Sequence, residues 1–390
     1  MRTVAIINER TEVSLGGAER SVSELGEALR KLGLQVTLLA ARGPAGEGTI
    51  PLCGGKSGGR VSFAAFEKAL MRHLAETDYD IVHSTLPFSF CDIYQPRGGS
   101  YLEAMLRNAA SYPHPRKRAW KRWTGWLNWR RASLVRAERI LGRRCEETTV
   151  AALSEYVREQ FVRHYAVPEE RIAVIPNAVK LHPPVDAARI EEFRSMVRSR
   201  LGMAEGEEPA IFLFAAHNFR LKGLGPLLEA MKRASSWPSA RPIVVAVAGS
   251  GNSGPYLQRA RRLGIAERVL FLGAVADMQS AIAGCDTAVL PTYYDPSSRF
   301  ILEALAQGRP VITTRFNGAS ERIEHQRHGI VLKDPGDVET LATALVRLSH
   351  PDLVRRMSAA IVEDDLREAV SIDRHAEQLA VLYETIYHGR

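Results

Sequence analysis

The sequence lacks the features that define membrane-spanning, secreted and disulfide-stapled proteins. Its apolar runs, such as IFLFAA and IVVAVAG, have the length of a buried strand and fall far short of the roughly 18 residues that a spanning helix needs. The chain begins MRTVAIINE, so we expect no cleaved secretory leader. Its four cysteines stand far apart without a CxxC pair, which argues against a zinc ribbon or disulfide framework and favours a reducing cytoplasm.

What the sequence does contain is a globular composition with one strongly basic segment. Its 390 residues, 45% of them hydrophobic, predict two domains. The net charge of +8 is unevenly distributed, because residues 116–144 hold eleven Lys or Arg and the single acid Glu138. That segment carries +10 and the remainder of the chain −2. A localised anionic partner is therefore expected rather than a generally cationic surface.

Short apolar runs alternate with amphipathic helical segments twice along the chain. The first series contains VAIIN, QVTLLAA, DIVHS and TTVAALS, and the second contains PAIFLFAA, IVVAVAG, VLFLG, TAVLP and PVITT. This pattern predicts an α/β fold of two doubly wound, Rossmann-like domains facing a central cleft. We expect domains over 1–178 and 179–365, with a basic Trp-rich insert at about 113–144. Residues 366–390 are expected to form a helix that packs back toward the first domain.

Two literal motifs are ambiguous. Gly249 begins a GxGxxG after a strand, but the next strand ends at Gly273 without the acid that a dinucleotide enzyme needs. A tight turn close to some ligand is the better interpretation. Asp78 and Asp80 form a DxD that can hold a metal for a diphosphate, yet they precede a buried strand, where solvated carboxylates are ordinary. We expect no metal site.

Three loops at strand ends carry polar groups suited to a phosphate-bearing ligand. One loop, 216–223, presents Arg220 and Lys222, whose charges can neutralise a departing diphosphate. A second contains Asp295 and leads into a helix that carries Glu303 and begins with serines and unpaired amides. The third opens the first helix with glycines that permit close approach of a ligand. Taken singly, each loop is equally consistent with a solvated turn or an ordinary capped helix.

The residues also resemble a known family. The segments GGAER, RLKG, VPEERIAVIPNAV and YDPSSRFILEALAQGRPVITT are similar to those of retaining GT-B glycosyltransferases of family 4. Within that family the segments TRFNGA and CDIYQPRGGSYLEAML, and the basic insert that follows the second of these, resemble lipopolysaccharide core glucosyltransferases that act on an inner-core heptose. The resemblance covers almost the whole chain and is most specific over residues 150–335.

The resemblance implies a role for each matching position in binding a nucleotide-sugar donor. Arg220 and Lys222 would hold the diphosphate, Asp295 the hydroxyls of the transferred sugar, and Glu303 the ribose. Further donor contacts are implied for Gly16, Gly17, Gly249, Ser298, Arg299 and the amides of Phe300 and Ile301. The family usually has two glutamates as its acid pair, whereas this chain has Asp295 first. The family's first cation usually stands where this chain has His217, so its role is moved to Arg220.

The same resemblance implies a retaining, metal-independent reaction without a dedicated nucleophile or cofactor. The acceptor would attack on the face that the leaving phosphate vacates, and this phosphate would help to deprotonate it. Asp92 matches an acid of the lipopolysaccharide enzymes and is expected at the acceptor or reaction centre, with Arg220, Lys222 and Asp295 as the other catalytic groups. His83, at a strand end, is the alternative, although a lone histidine is more often a satisfied core group.

The basic segment contains four of the five tryptophans at a spacing of three residues. On one continuous helix this spacing drifts by about −60° per step, which would spread the indoles over half the circumference. Tryptophan among cations is typical of a segment in a lipid interface. Single-stranded nucleic acid and packing on the protein's own core are alternatives. The predicted membrane residues are Arg116, Lys117, Arg118, Trp120, Lys121, Arg122, Trp123, Trp126, Trp129, Arg130 and Arg131.

Together these features predict an enzyme that moves a hexose, with glucose from UDP-glucose as the first choice, onto a lipid-linked saccharide. A GDP-mannose-dependent mannosyltransferase is the alternative enzyme. A catalytically idle sugar-nucleotide or membrane-binding protein is the non-enzyme alternative. The expected partners are a nucleotide sugar, a lipid-linked acceptor and an anionic membrane surface, with no nucleic acid. The expected location is cytoplasmic and peripheral, on the inner face of the cytoplasmic membrane.

Overall fold

A computed structural model describes residues 1–11, 17–54, 61–144, 147–204 and 206–390. Its contacts divide the chain into two compact units. The first comprises Met1–Ala109, Pro113–Lys180 and Ser371–Arg390, and the second comprises Ala110–Tyr112 and Leu181–Val370. The junctions therefore fall two residues after the predicted boundary at 178 and five after that at 365.

The first unit is built on a parallel sheet with the order β3-β2-β1-β4-β5-β6-β7. Its strands are β1 (Thr3–Arg10), β2 (Gln35–Arg42), β3 (Thr49–Pro51), β4 (Ile81–Ser84), β5 (Ile93–Tyr94), β6 (Thr149–Ala152) and β7 (Ile172–Val174). Its helices up to this point in the chain are α1 (Gly17–Lys31), α2 (Phe63–Glu76), α3 (Tyr101–Ala110), α4 (Pro115–Thr124), α5 (Trp129–Arg144) and α6 (Glu155–Tyr165).

Both faces of this sheet are covered, which explains why its strands are apolar throughout. In β1, Val4 and Ile6 belong to one buried cluster, whereas Ala5 and Ile7 belong to another. Successive side chains of a strand point to opposite faces, so helices must cover the sheet on each side. Leu25 of α1 contributes to the first cluster, and residues of α2 contribute to the second.

The second unit is built on a parallel sheet with the order β10-β9-β8-β11-β12-β13. Its strands are β8 (Ala210–Ala215), β9 (Ile243–Ala248), β10 (Val269–Gly273), β11 (Thr287–Leu290), β12 (Val311–Thr314) and β13 (Gly329–Leu332). Its helices are α7 (Ala187–Arg200), α8 (Leu224–Ala234), α9 (Gly254–Leu263), α10 (Met278–Gly284), α11 (Arg299–Ala306), α12 (Val338–Arg347), α13 (Pro351–Glu363) and α14 (Leu366–Ala369).

The last helix, α15 (Ile372–His388), returns to the first unit. Ser371 caps it by accepting a hydrogen bond from the Arg374 amide, and the Ile372 amide donates to the Val179 carbonyl at 2.9 Å. Leu379 and Tyr383 are fully buried in the same cluster as α1. This helix therefore completes one face of the N-terminal sheet.

Both units have the doubly wound order in which strands are added on one side of the first strand and then on the other. The predicted fold class, two doubly wound, Rossmann-like α/β domains, is confirmed. No helix among the described residues is long and apolar enough to cross a membrane.

Candidate functional site

The site begins where the strand order of the second unit reverses. Strands β8 and β11 are neighbours, and the later strands extend outward on either side of this pair. Ligands of doubly wound sheets bind beyond the carboxyl ends of the strands at such a reversal. The loops that leave β8 and β11 are those with Lys222 and Asp295, so the topology brings two predicted site loops together.

Lys222 and Asp295 form an ion pair between these loops. The Lys222 ammonium lies 2.6 Å from Oδ2 of Asp295 and donates to the Tyr294 carbonyl at 2.9 Å. Their side chains are only 20% and 13% exposed, so the pair is partly withdrawn from water. A cation held in this way is positioned before any ligand arrives, because its other contacts fix where the ammonium points.

Backbone contacts hold the two loops at this distance. The Tyr293 amide donates to the Leu221 carbonyl at 2.9 Å, directly joining one loop to the other. Gly223 has φ +84°, and a Cβ there would lie 1.9 Å from the Pro291 carbonyl oxygen. Only glycine fits this left-handed, closely approached position. The glycine that follows Lys222 thus allows its loop to reach the Asp295 loop.

A helix N-terminus adjoins the pair. Helix α11 begins after Ser298, whose amide donates to Oδ1 of Asn317 at 3.0 Å. Asn317 is fully buried, and its amide nitrogen donates to Thr313 at 3.0 Å. It therefore links the start of α11 to the end of β12. Sequence reasoning gave Asn317 no role, although it stands in the TRFNGA segment that supported the family resemblance.

The first turn of α11 presents backbone groups rather than apolar side chains. The side chains of Phe300 and Ile301 are buried, 8% and 0% exposed. Amides in the first turn have no carbonyl one turn earlier to bond, and the helix dipole makes that end attractive to anions. Arg299 and Glu303 lie side by side on this helix, 3.5 Å apart and about 15% exposed. The arrangement offers anion-binding amides next to a guanidinium and two carboxylates.

Other predicted donor residues lie near the same strand ends. Gly249, with φ +129°, approaches β8 so closely that a Cβ would lie 1.9 Å from the Ala216 carbonyl oxygen. His217 Nδ1 lies 3.0 Å from the Ser250 hydroxyl. The Arg220 guanidinium lies over the Tyr112 ring at 3.8 Å, within the second unit as its contacts define it. Arg220 also donates a hydrogen bond to the Ser111 hydroxyl.

In the first unit, Gly17 begins α1, whereas Gly16 lies outside the described residues. His83 is fully buried, with Nδ1 2.6 Å from the Tyr383 hydroxyl. Burial, assisted by the charges of Arg97 and His375, lowers the pKa of His83 to about 3. An imidazole so enclosed is neutral near pH 7 and belongs to the core. His83 thus fits the expectation that a lone histidine is more often a core group than a group at the reaction centre.

Asp92 lies at the edge of the N-terminal sheet where the strands begin, opposite to the edge formed by their carboxyl ends. It directly precedes β5, and its Oδ2 accepts a hydrogen bond from the Val82 amide near the start of β4 at 2.7 Å. Its other oxygen is paired with the Arg390 guanidinium. The carboxylate ties together the amino ends of two parallel strands. This position, away from the strand carboxyl ends where ligands of such sheets bind, does not support the expected role of Asp92 at the acceptor or reaction centre.

The basic segment forms two helices rather than one. Helix α4 ends at Thr124, a 3-10 turn spans Gly125–Leu127, and α5 follows. The continuous helix assumed for the indole spacing is therefore wrong. All four tryptophans are nonetheless exposed, by 57%, 73%, 45% and 90% for Trp120, Trp123, Trp126 and Trp129. They do not pack into the protein's own core.

One residue predicted for the membrane surface is turned inward. The Arg130 guanidinium lies 2.5 Å from Oε2 of Glu9, and both side chains are about one-third exposed or less. Its partner stands at the end of β1, 121 residues earlier in the chain. This ion pair removes Arg130 from the set of lipid-facing cations.

The described residues bring together no group of three or more His, Cys, Asp or Glu side chains that suits a metal ion. The DxD acid Asp80 instead accepts hydrogen bonds from the amides of Arg2 and Thr3, at 2.6 and 2.9 Å. These bonds lower the pKa of its carboxyl.

Two family models match the sequence, one for each unit. Glycosyltransferase Family 4 matches residues 15–182, and Glycosyl transferases group 1 matches residues 208–350. The lipopolysaccharide glucosyltransferase WaaG of Escherichia coli K12 is 26% identical over 211 residues, which are 53% of this chain and 54% of WaaG. A D-inositol 3-phosphate glycosyltransferase of Streptomyces scabiei is 30% identical over 267 residues, which are 65% of this chain and 58% of that protein. The matched segments thus span little more than half of these relatives.

Solved structures extend the likeness over the full chain. A crystal structure of WaaG, a glycosyltransferase involved in lipopolysaccharide biosynthesis, aligns with a TM-score of 0.69 at 22% identity, covering 97% of this chain and 99% of its own. Anabaena HepE in complex with UDP-glucose aligns with a TM-score of 0.70 at 17% identity, covering 99% and 100%. At these identities the likeness shows the fold alone. Together with the two family matches, it shows a GT-B fold whose first unit is similar to Glycosyltransferase Family 4 and whose second unit is similar to Glycosyl transferases group 1.

Proposed function

We propose that this protein transfers glucose from UDP-glucose, with retention of configuration, to a sugar of a lipid-linked acceptor at a membrane surface. The observation that carries the proposal is the paired charge at the strand reversal of the second unit, Lys222 with Asp295 and Arg299 with Glu303. These pairs surround the amides of a helix start, which is a suitable environment for a diphosphate and the two sugars attached to it.

Each group has a distinct task in this proposal. Lys222 and the amides of Phe300 and Ile301 bind the diphosphate, Glu303 accepts hydrogen bonds from the ribose hydroxyls, and Asp295 accepts them from the transferred sugar. Asp295 must then exchange part of its contact with Lys222 for sugar hydroxyls. The ammonium that it releases is free to follow the diphosphate, which couples sugar binding to placement of the cation.

The transfer breaks the bond between the anomeric carbon and the diphosphate oxygen. The acceptor hydroxyl oxygen bonds the same carbon on the same face, and its proton goes to an oxygen of the leaving diphosphate. Negative charge develops on the departing oxygen, and Lys222 with the α11 amides stabilises it. Fixed donors in a partly dry site stabilise such charge more strongly than water does, since they need not reorient.

Two features support the choice of donor and acceptor. HepE, which shares the fold, binds UDP-glucose, and WaaG, a relative over about half its length, is a lipopolysaccharide glucosyltransferase. The exposed tryptophans and cations of α4 and the 3-10 turn suit an anionic leaflet, where each basic residue contributes about 1 kcal/mol. We place the protein on the inner face of the cytoplasmic membrane, where nucleotide sugars and a lipid-linked acceptor meet.

A thermal-shift and calorimetric screen tests the donor. The purified chain is titrated with UDP, GDP, ADP, NAD and their sugar conjugates without added metal. Selective binding of UDP and UDP-glucose is expected, and Glu303→Ala should reduce it. A preference for GDP and GDP-mannose would replace the proposal with a mannosyltransferase. Binding without turnover on any lipid-linked saccharide would favour an idle binding protein.

A further inference from the structure

The first unit carries a groove on its basic segment whose arginines the proposed function does not use. It has a volume of about 370 Å³ and lies between the 3-10 turn and α5. Its walls combine apolar side chains, Trp126, Val135 and Ile140, with three guanidinium groups, Arg136, Arg139 and Arg143. None of these arginines belongs to the set predicted for the membrane surface.

The arginines share one face of α5. Spacings of three and four residues place side chains one above another on a helix, so residues 136, 139 and 143 form a single stripe. Like charges at such spacings destabilise a helix. The stripe is therefore a cost to the free protein, and an anion bound across it would remove that cost.

Among the residues that the structure describes, none of the three arginines forms an ion pair. Elsewhere in the same unit guanidinium groups do have acids, as Arg130 has Glu9 and Arg107 has Glu103, the latter at 2.9 Å. The guanidinium fork matches the spacing of two phosphate oxygens, which makes arginine the preferred residue for this anion. An anion from outside the chain would complete the groove.

The walls of the groove are fixed to the body of the unit. On the opposite side of α5, buried Glu138 accepts hydrogen bonds from the Tyr94 and Tyr165 hydroxyls and from the Tyr101 amide. The 3-10 turn rests on α3, because a Cβ on Gly125 would lie only 2.9 Å from Sδ of Met105. The groove is thus preformed and does not depend on a mobile surface helix.

We propose that this groove binds the phosphomonoester headgroup of an anionic lipid. Three guanidinium groups suit a phosphate with three free oxygens and a second negative charge better than a phosphodiester with two oxygens and one charge. Trp126 and Ile140 are 45% and 38% exposed at the groove, and Leu127 beside them is 68% exposed. This apolar rim receives the first carbons of the lipid, which a free phosphate or nucleic acid would leave uncovered.

The inference deepens the proposed membrane attachment and rests on it, but its test separates the two. Vesicles of phosphatidylcholine are prepared with phosphatidic acid or with phosphatidylglycerol at equal surface charge. The wild type should bind the phosphatidic acid vesicles about tenfold more tightly, equivalent to about 1.4 kcal/mol. R136Q/R139Q/R143Q should lose this preference while still binding phosphatidylglycerol.

The matched control is R116Q/K117Q/R122Q, which removes the same charge from α4. It should weaken binding to both lipids by the same factor and keep the preference. An equal loss of binding to both lipids in the two triple variants would overturn the groove and leave only general charge attraction. Equal binding of the wild type to both kinds of vesicle would also overturn the proposed groove.

A second arm uses ligands that form no membrane. Short-chain phosphatidic acid below its micellar concentration should bind wild type one-to-one, monitored by tryptophan fluorescence, and fail to bind R136Q/R139Q/R143Q. Equal affinity for inorganic phosphate, or tighter binding of a single-stranded oligonucleotide, would overturn the lipid assignment. If the soluble lipid binds but vesicles do not, the groove stands and membrane attachment fails. An unchanged thermal shift with UDP shows that the variant remains folded.

Discussion

Charged side chains are arranged differently in two regions of the molecule: the loops at the strand reversal of the second unit and the basic segment of the first unit. At the reversal, Lys222 is paired with Asp295 and Arg299 with Glu303, and all four side chains are at most 20% exposed. In the basic segment, Arg136, Arg139 and Arg143 are exposed and have no acidic partner among the described residues. Paired, half-buried charges are screened weakly and fixed in position, whereas exposed charges act over about 10 Å and weaken with salt. The first arrangement suits selection of a small ligand, and the second suits capture of a large anionic surface.

The largest effect is expected from Lys222→Met. Removing a fixed cation that stabilises a developing charge should lower kcat by about 10²–10³-fold, with a smaller change in KM. Release of UDP from UDP-glucose in the presence of acceptor measures both constants. Lys180→Met is the control, since Lys180 pairs with Glu27 at the surface. Wild-type kcat in Lys222→Met would mean that the pair with Asp295 is merely structural.

Glu303→Ala should follow, with about a 10²-fold loss of kcat/KM and an intact fold. A buried charged hydrogen bond to a ligand contributes several kcal/mol when its partner is left unpaired. The fold should survive because the core residues of α11, Ile301 and Leu302, are unchanged. Calorimetry with UDP tests whether the contact with the donor is lost, and circular dichroism tests whether the fold is intact. Glu267→Ala removes an exposed acid of the same unit and should change neither. Full activity in Glu303→Ala would remove the ribose assignment.

A smaller effect is expected when Trp120, Trp123, Trp126 and Trp129 are replaced by serine. Binding to anionic vesicles should weaken about tenfold, because the indoles no longer enter the lipid interface. Donor binding, measured by calorimetry, should remain as in wild type. Raising the salt concentration should weaken vesicle binding further and leave donor binding nearly constant. Trp237→Ser controls for loss of a tryptophan, and unchanged cosedimentation of the fourfold variant would contradict the interface.

The smallest effect concerns the stability of the folded protein below pH 7. It extends the comparison from charged groups to buried histidines that are neutral. Burial lowers the pKa of both His83 and His375 to about 3, whereas an unfolded histidine titrates near 6.5. Between these values the unfolded chain binds more protons, so stability falls as pH decreases from about 6.5 toward 3. The slope should be up to about 1.4 kcal/mol per pH unit for each histidine.

Urea unfolding between pH 7 and 5 measures this slope. His375→Gln should flatten it, even if the variant is less stable at pH 7. His388→Gln is the matched control, since His388 is exposed at the end of the same helix. An equal slope in wild type and His375→Gln would show that His375 is protonated in the folded protein.

The sequence predicts the site of the second unit better than that of the first. Lys222, Asp295 and Glu303 each stand directly after a strand or in the helix that follows it, and parallel strands bring such positions to one edge. Asp92 lies ahead of β5, after a connection from β4 that returns the chain to the other edge. Residue types do not indicate how far that connection carries the chain back, so the sequence could not show at which edge of the sheet Asp92 lies. Arg130 poses the same problem, because its partner Glu9 is 121 residues away.

The sequence also could not show that the tryptophan side chains of the basic segment are exposed. The spacing of the four indoles gave an amphipathic pattern only if the helix continued, and the helix ends at Thr124. Composition favoured a lipid interface and left packing onto the core as an alternative. Asn317 was missed for a different reason, since a buried amide that positions a helix start resembles any other loop asparagine.

The return of α15 to the first unit has a consequence for how the chain acquires its structure during synthesis. The second unit is contained in Leu181–Val370, apart from three residues of an earlier segment. The N-terminal sheet, by contrast, lacks the Leu379 and Tyr383 side chains of its core until the ribosome has made the whole of the second unit. We therefore expect the half that is synthesised first to be the last to mature, leaving its unfinished face to chaperones in the interval.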